Sequence, residues 1–221
     1  MPHKSLSITI LTSFPFPNGK ATSNRLDIFA KEFAKKDFVD RVNIITCSTN
    51  KNYNKEYLKK IDVYNLKITA FNKDNLIFRF FYELYISFKL WSLVKKTNSD
   101  ILFISIPSVL LLLPMIFSIF KGKIIIDIRD AVWTYFPNEG LKYFIKLSLI
   151  KFLNIALRKS SLITVTNEHE LIELKQITAS KSLVVPNGIA ELKLDLLSKN
   201  KIQLSAEQVK LTYIGNVGIA Q

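Results

Sequence analysis

Short apolar runs recur along this chain, each long enough for a strand and too short for a core helix, with segments of helical period between them. Leu6–Thr12, Val42–Cys47, Val63–Phe71, Ile101–Ile106, Lys123–Ile128, Leu162–Thr166 and Leu183–Val185 are the predicted strands, and Val209–Ile214 begins another. Asn24–Lys36, Leu76–Lys95, Leu141–Lys159 and Glu168–Gln176 are the predicted helices, and a further helix is expected from about Val109 to Phe120. In the first of these, Leu26, Phe29, Ala30, Phe33 and Ala34 recur at helical spacing. Residues 50–54 read as a polar loop, followed by a short stretch at Tyr57–Lys60. A run such as Lys123–Ile128 is apolar without alternation, as in a parallel strand covered on both faces. Strands alternating with helices therefore predict an α/β protein built on an open, doubly wound parallel sheet.

Ile101–Phe120 has no charge over twenty residues and is long enough to span a bilayer. Pro107, Pro114 and three serines interrupt it, so a strand, a turn and a helix fit the same residues. The surrounding alternation favours that soluble reading. The N-terminal apolar run, Ile8–Leu11, is too short for a signal-peptide core. One cysteine, Cys47, allows no internal disulfide, which suits a reducing cytoplasm, and it reads as a buried strand-end residue. His3 and His169 lack ligand spacing, so no metal site is expected. With 48% hydrophobic and 22% charged residues the chain can bury a core, which excludes disorder. Its 221 residues amount to about one and a half domains.

In a doubly wound sheet, ligands sit outside the carboxyl ends of the strands, which singles out four loops. The first runs from Ser13 to Arg25 and contains Asn18, Gly19, Lys20 and Asn24. A glycine-containing turn leading into a helix can present backbone N–H groups to an anion, with Lys20 and Arg25 adding charge. The alternative is an ordinary loop whose Ser23 or Asn24 caps the helix. It contains neither a phosphate-binding Walker loop nor a dinucleotide fingerprint. The second is Asp127-Ile128-Arg129-Asp130 with Trp133 beyond it. A carboxylate at a strand end can orient a hydroxyl or take its proton. The alternative is an Arg129–carboxylate pair bracing the loop. Trp133 and Tyr135 suit either stacking on a sugar ring or packing. The third is Pro186-Asn187-Gly188, a tight-turn signal, and the fourth is Gly215-Asn216-Val217-Gly218.

In chain order these pieces, with Val165-Thr166-Asn167-Glu168 and Tyr213–Gln221, resemble glycosyltransferase family 4. These are retaining, nucleotide-sugar-dependent enzymes of GT-B architecture, and the sequence looks most like transferases of bacterial O-antigen, capsule and exopolysaccharide assembly. The resemblance implies an acceptor-side Rossmann-like domain at residues 1–190, an interdomain linker at 191–208, and the first strand and glycine loop of a donor-binding domain at 209–221. It implies that Asp130 and Arg129 stand near the acceptor hydroxyl, where many members carry a histidine that this chain lacks. It implies substrate-binding roles for Asn18, Gly19, Lys20, Asn24, Arg25, Trp133, Asn187, Gly188, Gly215, Asn216 and Gly218. The family's donor-side glutamate pair and basic pair have no counterpart in these residues, so the chain resembles half an enzyme and is expected to transfer no sugar alone.

No cofactor is implied; the nucleotide sugar is a substrate of the full enzyme, and a lipid-linked or glycan acceptor is the second ligand. The net charge of +13 suits phosphates and an anionic inner-membrane surface, with Leu76–Lys96 and Leu141–Lys159 as docking segments. The expected location is therefore cytoplasmic, or peripheral at the inner face of the plasma membrane. Compositional bias toward lysine is the plain alternative for the charge. Basic residues scattered rather than striped argue against nucleic acid as a partner. A non-catalytic subunit that assembles with a separately encoded C-terminal half, or a basic membrane-associated α/β binding protein, are the competing readings.

Overall fold

A computed structural model describes residues 5–18, 20–50, 53–69, 75–106 and 108–187. The chain divides into two compact units, Met1–Pro186 and Asn187–Gln221, and every described element belongs to the first. The expected linker at 191–208 and strand at Val209–Ile214 lie outside the described residues.

The strands are β1 (Leu6–Leu11), β2 (Val39–Ser48), β3 (Tyr53–Leu58), β4 (Ile61–Lys67), β5 (Ile101–Ile106), β6 (Lys123–Ile128), β7 (Leu162–Val165) and β8 (Ser182–Val184). The helices are α1 (Ala21–Ala34), α2 (Leu76–Thr97), α3 (Leu113–Phe117), α4 (Gly140–Leu157) and α5 (Glu168–Lys175). They build one eight-stranded sheet of order β3-β4-β2-β1-β5-β6-β7-β8. From β1 the chain winds outward through β2 to β4. It then crosses back to β5 and winds the other way to β8. The direction reverses between β1 and β5, the switch point of a doubly wound sheet.

Side-chain alternation splits the apolar residues between two faces. Ile8, Ile10, Ile44, Val63 and Phe103 pack with Leu26 and Ala30 of α1. Leu102, Ile104, Ile124, Ile126 and Ile163 pack on the other face with Leu90 and Trp91 of α2, Met115 of α3 and Leu153 of α4. Burying a Leu or Ile of this kind contributes about 1.5–3 kcal/mol.

Three expectations need correction. The doubly wound, mostly parallel sheet is as expected, but Tyr53–Leu58, expected as loop and a short stretch, is a strand that runs antiparallel to β4. It spans the end of the expected loop and the start of the short stretch. Its Lys55 and Glu56 obscure any apolar pattern, and charge is what an edge strand carries to avoid further pairing. The expected helix from Val109 is a 3-10 turn, Val109–Leu112, followed by only five α-helical residues with Pro114 at their start. The first helix begins at Ala21, so Ser23 and Asn24 lie inside it and neither caps it; Lys20 is the cap residue and makes no side-chain cap bond. Ile101–Phe120 thus contains a central strand and two short helical turns. Among the described residues no helix is long and apolar enough to cross a membrane.

Candidate functional site

The carboxyl edge of the sheet is organised by one buried carboxylate. Along β6, Ile124, Ile126 and Ile128 enter the core beneath α2–α4, so alternation turns Asp127 toward the α1 side. There it stands in register with Ser105 on β5 and Thr164 on β7. Ser105 Oγ donates to Asp127 Oδ2 at 3.1 Å and Thr164 Oγ1 to Oδ1 at 2.7 Å. From α1, Arg25 donates to the same carboxylate through Nε at 3.3 Å and Nη2 at 2.9 Å. Both partners are buried, with side-chain exposures of 4% and 0%. Arg25 Nη1 also donates to the Pro186 carbonyl at 3.1 Å, and its guanidinium lies 4.7 Å from the Phe29 ring centroid, one helical turn away. A two-donor guanidinium plus two hydroxyls satisfies a carboxylate that would otherwise be costly to bury. The pair ties α1 to β6 and to the last residue of the first unit.

The loop after β1 is held by hydrogen bonds from β2 and by others within itself. Thr46 Oγ1 donates to the Phe14 carbonyl, and Cys47 Sγ to the Ser13 carbonyl at 3.1 Å. Ser23 Oγ accepts from the Asn18 amide at 3.1 Å, and Asn18 Oδ1 accepts from the Lys20 amide at 3.1 Å. Phe16 is buried edge-to-face against Tyr57, with ring centroids 5.4 Å apart. The loop's exposed residues include Asn18 and Lys20, while Asn24 is half-buried on α1.

Past β6, Arg129 is half-buried and its Nε is buried without a hydrogen-bond partner among the described residues. Burial pushes its pKa down from the ordinary arginine value; Asp127 opposes that shift, Arg25 adds to it, and Asp130 and Glu170 oppose it. An arginine so placed stays protonated. Asp127 is paired with Arg25, and among the described residues Arg129 makes no ion pair, so the alternative of an Arg129–carboxylate brace is not found there; Asp127, Asp130 and Glu170 act on it only through their charge. Asp130 is exposed beside it. Trp133 is sunk into the core at 2% exposure, its Nε1 also lacking a partner among the described residues, whereas Tyr135 is exposed. Asn187 opens the second unit. Gly19, Gly188, Gly215, Asn216 and Gly218 lie outside the described residues.

Sequence reasoning missed Ser105 and Thr164 as partners of the site. Their signal was present: Ser105, Asp127 and Thr164 are each a polar residue near the end of an otherwise apolar strand. Glu170 was also missed. It accepts from the Thr166 amide at 2.8 Å while Asn167 Oδ1 accepts from the Glu170 amide at 2.9 Å, a reciprocal cap that starts α5. Cys47 is buried, and burial pushes its thiol up to about 12, which leaves it inert as a nucleophile. Among the described residues no group of three His, Cys, Asp or Glu could hold a metal ion.

No protein-family model matches the sequence, and no curated protein matches it. Solved structures share the fold. A two-segment piece of sucrose-phosphate synthase from Thermosynechococcus elongatus superimposes with a TM-score of 0.54 at 11% identity, covering 87% of this chain and 95% of that one. The longer chain of the same synthase gives 0.59 at 13% identity, covering 87% of this chain and 52% of that one. Phytolacca americana UGT2, solved with UDP-2-fluoroglucose and pterostilbene, gives 0.53 at 12% identity, covering 91% and 58%. The chain thus spans somewhat over half the length of these two longer proteins. At such identities the likeness establishes the architecture: a mostly parallel, Rossmann-like α/β sheet.

Proposed function

We propose that this chain is the acceptor-side domain of a GT-B glycosyltransferase of the retaining family 4 type, working in bacterial cell-surface polysaccharide assembly. The whole enzyme would move a sugar from a nucleotide-sugar donor to a lipid-linked or glycan acceptor in the cytoplasm. The fold shared with two sugar-handling proteins, one solved with a UDP-sugar, supports that class. One observation carries the placement of the site. Arg129 is half-buried, with a buried Nε that has no hydrogen-bond partner among the described residues, next to the exposed carboxylate of Asp130, at the ligand-binding edge of a doubly wound sheet. A desolvated cation left unpaired is costly to the free fold and ready for an oxygen-rich, anionic ligand. In this reading Asp130 orients the acceptor hydroxyl or takes its proton, and Arg129 holds acceptor oxygens or developing negative charge. Asn18, Gly19, Lys20 and Asn24 face the donor phosphates, and Trp133 sets the shape of the loop from beneath. Arg25 acts by fixing α1 against β6. Asn187 and Gly188 belong to the hinge, and Gly215, Asn216 and Gly218 to the donor-side loop.

Hydrogen exchange with a soluble, short-chain prenyl-diphosphate sugar tests this. Added acceptor should slow exchange in residues 127–136. Arg129→Met should weaken binding about tenfold, a loss of about 1.4 kcal/mol. The same variant should melt no lower than the parent, because it removes an unpartnered charge rather than a bond. Absent protection, or binding indifferent to Arg129→Met, would refute the assignment.

A further inference from the structure

The connections at the two edges of the sheet carry different charge. All strands but β3 run parallel, so every connection that leads into a parallel strand, and the turn from β3 to β4, lies on the amino edge, opposite Arg129 and Asp130. Among the described residues these amino-edge connections contain eight lysines and arginines against two acidic residues, Asp37 and Asp100. The carboxyl-edge connections contain Lys20 and Arg129 against Asp130 and Glu139. A compositional bias toward lysine would load both edges alike. Helix C-termini favour cations, but that preference fades beyond the last turn. It accounts for Lys35, Lys36, Arg158 and Lys159, which directly follow α1 and α4. It does not account for Lys59 and Lys60 in a hairpin turn, for Lys121, four residues past α3, or for Lys181, six residues past α5. Lys35 is paired with Glu32, and Lys60 and Lys159 donate to backbone carbonyls; among the described residues the other five make no ion pair. The same edge exposes large apolar side chains: Phe117 and Ile119 are 76% and 94% exposed, and Phe38 and Leu58 are exposed as well.

We infer that the amino edge of the sheet is a docking surface for another protein, one that presents an acidic segment with apolar side chains. Charge complementarity selects an acidic partner, and a second copy of this chain, itself at +13, would be repelled. The apolar residues select a protein. Lys60 Nζ donates to the Val39 carbonyl at 2.7 Å, which sets the β3–β4 turn, with Leu58, beside Phe38 at the start of β2. Phe117 and Ile119 precede β6, three strand spacings or about 14 Å from β2. Separate anchors set among cations fit side-chain pockets in a partner, whereas lying in a bilayer requires a continuous apolar face. A polyphosphate chain would meet the exposed carboxylates of Asp37 and Asp40, which flank Phe38. Topology is what assembles this surface: the basic residues are scattered in the sequence, and each helix that returns to the amino edge brings its own there. The surface lies on the edge opposite the proposed acceptor site, so the inference does not rest on that reading.

The test is fluorescence anisotropy of a labelled helical peptide of about fifteen residues, with glutamates on one face and leucines on the other, titrated with the purified chain at low salt. Binding should saturate, and the same peptide with alanine in place of leucine should bind at least tenfold more weakly. Joint Lys59→Glu and Lys121→Glu should weaken binding at least tenfold, and joint Phe117→Ser and Ile119→Ser about tenfold. All four side chains are exposed, so the melting temperature should not fall. Joint Lys89→Glu and Lys151→Glu make the same change of net charge at exposed positions inside α2 and α4, and should weaken binding less than about twofold. The peptide should slow hydrogen exchange in residues 35–38, 58–60 and 117–123 and leave 127–136 unchanged. Absence of saturable binding, or equal losses from the two pairs of charge reversals, would overturn the inference. So would tighter binding of a single-stranded oligonucleotide, or of phosphatidylglycerol vesicles, that Lys59→Glu and Lys121→Glu abolish. The acceptor experiment reads residues 127–136 and the peptide experiment the opposite edge, so their failures are separate results.

Discussion

Replacing Arg25 with methionine keeps the bulk of α1's inner face and removes two of the four hydrogen bonds that Asp127 accepts. The carboxylate stays in place at 0% exposure, with only the Ser105 and Thr164 hydroxyls to satisfy it. Breaking one partner out of a buried ion pair costs about 3–5 kcal/mol, and the two hydroxyls place this case near 3 kcal/mol. With a urea slope of about 3 kcal/mol per molar, the unfolding midpoint should fall by about 1 M. Asp127→Asn should be similarly damaging, because Arg25 then keeps a buried charge. The double substitution removes both charges, and its cost should be smaller than the sum of the two single costs by about 2 kcal/mol or more. Urea unfolding followed by the fluorescence of Trp91 and Trp133, and in parallel by far-ultraviolet circular dichroism, measures all three variants. Single costs below about 1 kcal/mol, or costs that add within about 0.5 kcal/mol, would refute the view that this pair binds α1 to β6.

Cys47 should resist thiol reagents in the native protein at pH 8: a thiol pushed up to about 12 is ionised there in about one molecule in ten thousand, and quantitative native-state labelling would contradict this. The native thiol also keeps a proton that an unfolded one releases near pH 8.5, so its contribution to stability should be full below that value and decline as pH rises toward 12, measurable as a difference from Cys47→Ala. Gly122→Ala should lower the melting temperature by several degrees, because a Cβ there would lie 2.1 Å from the Asp100 carbonyl oxygen, which itself accepts from the Lys123 amide at 2.9 Å. An unchanged calorimetric midpoint would show that the turn between α3 and β6 yields freely.

What the chain reveals about itself divides along the range of the forces involved. Ile101–Ile106 and Lys123–Ile128 are strands to the residue, because a dense apolar run is a local signal and both are covered on two faces. Tyr53–Leu58 escaped notice because it is held by one neighbour at a sheet edge, where pairing depends on β4 rather than on its own pattern. The site shows the same division more sharply. Asp127, Arg129 and Asp130 are adjacent in sequence, and proximity alone suggests that they neutralise one another. Strand alternation decides otherwise: it aims Asp127 at the face of α1, where a guanidinium 102 residues away takes it. Neither residue's sequence neighbourhood carries that pairing. Once Arg25 holds Asp127, the Arg129 Nε is left buried with no acceptor among the described residues, although Asp127, Asp130 and Glu170 still attract its charge. The position of that unsatisfied donor is thus a consequence of the fold, and it is why the proposed site is placed at this edge of the sheet.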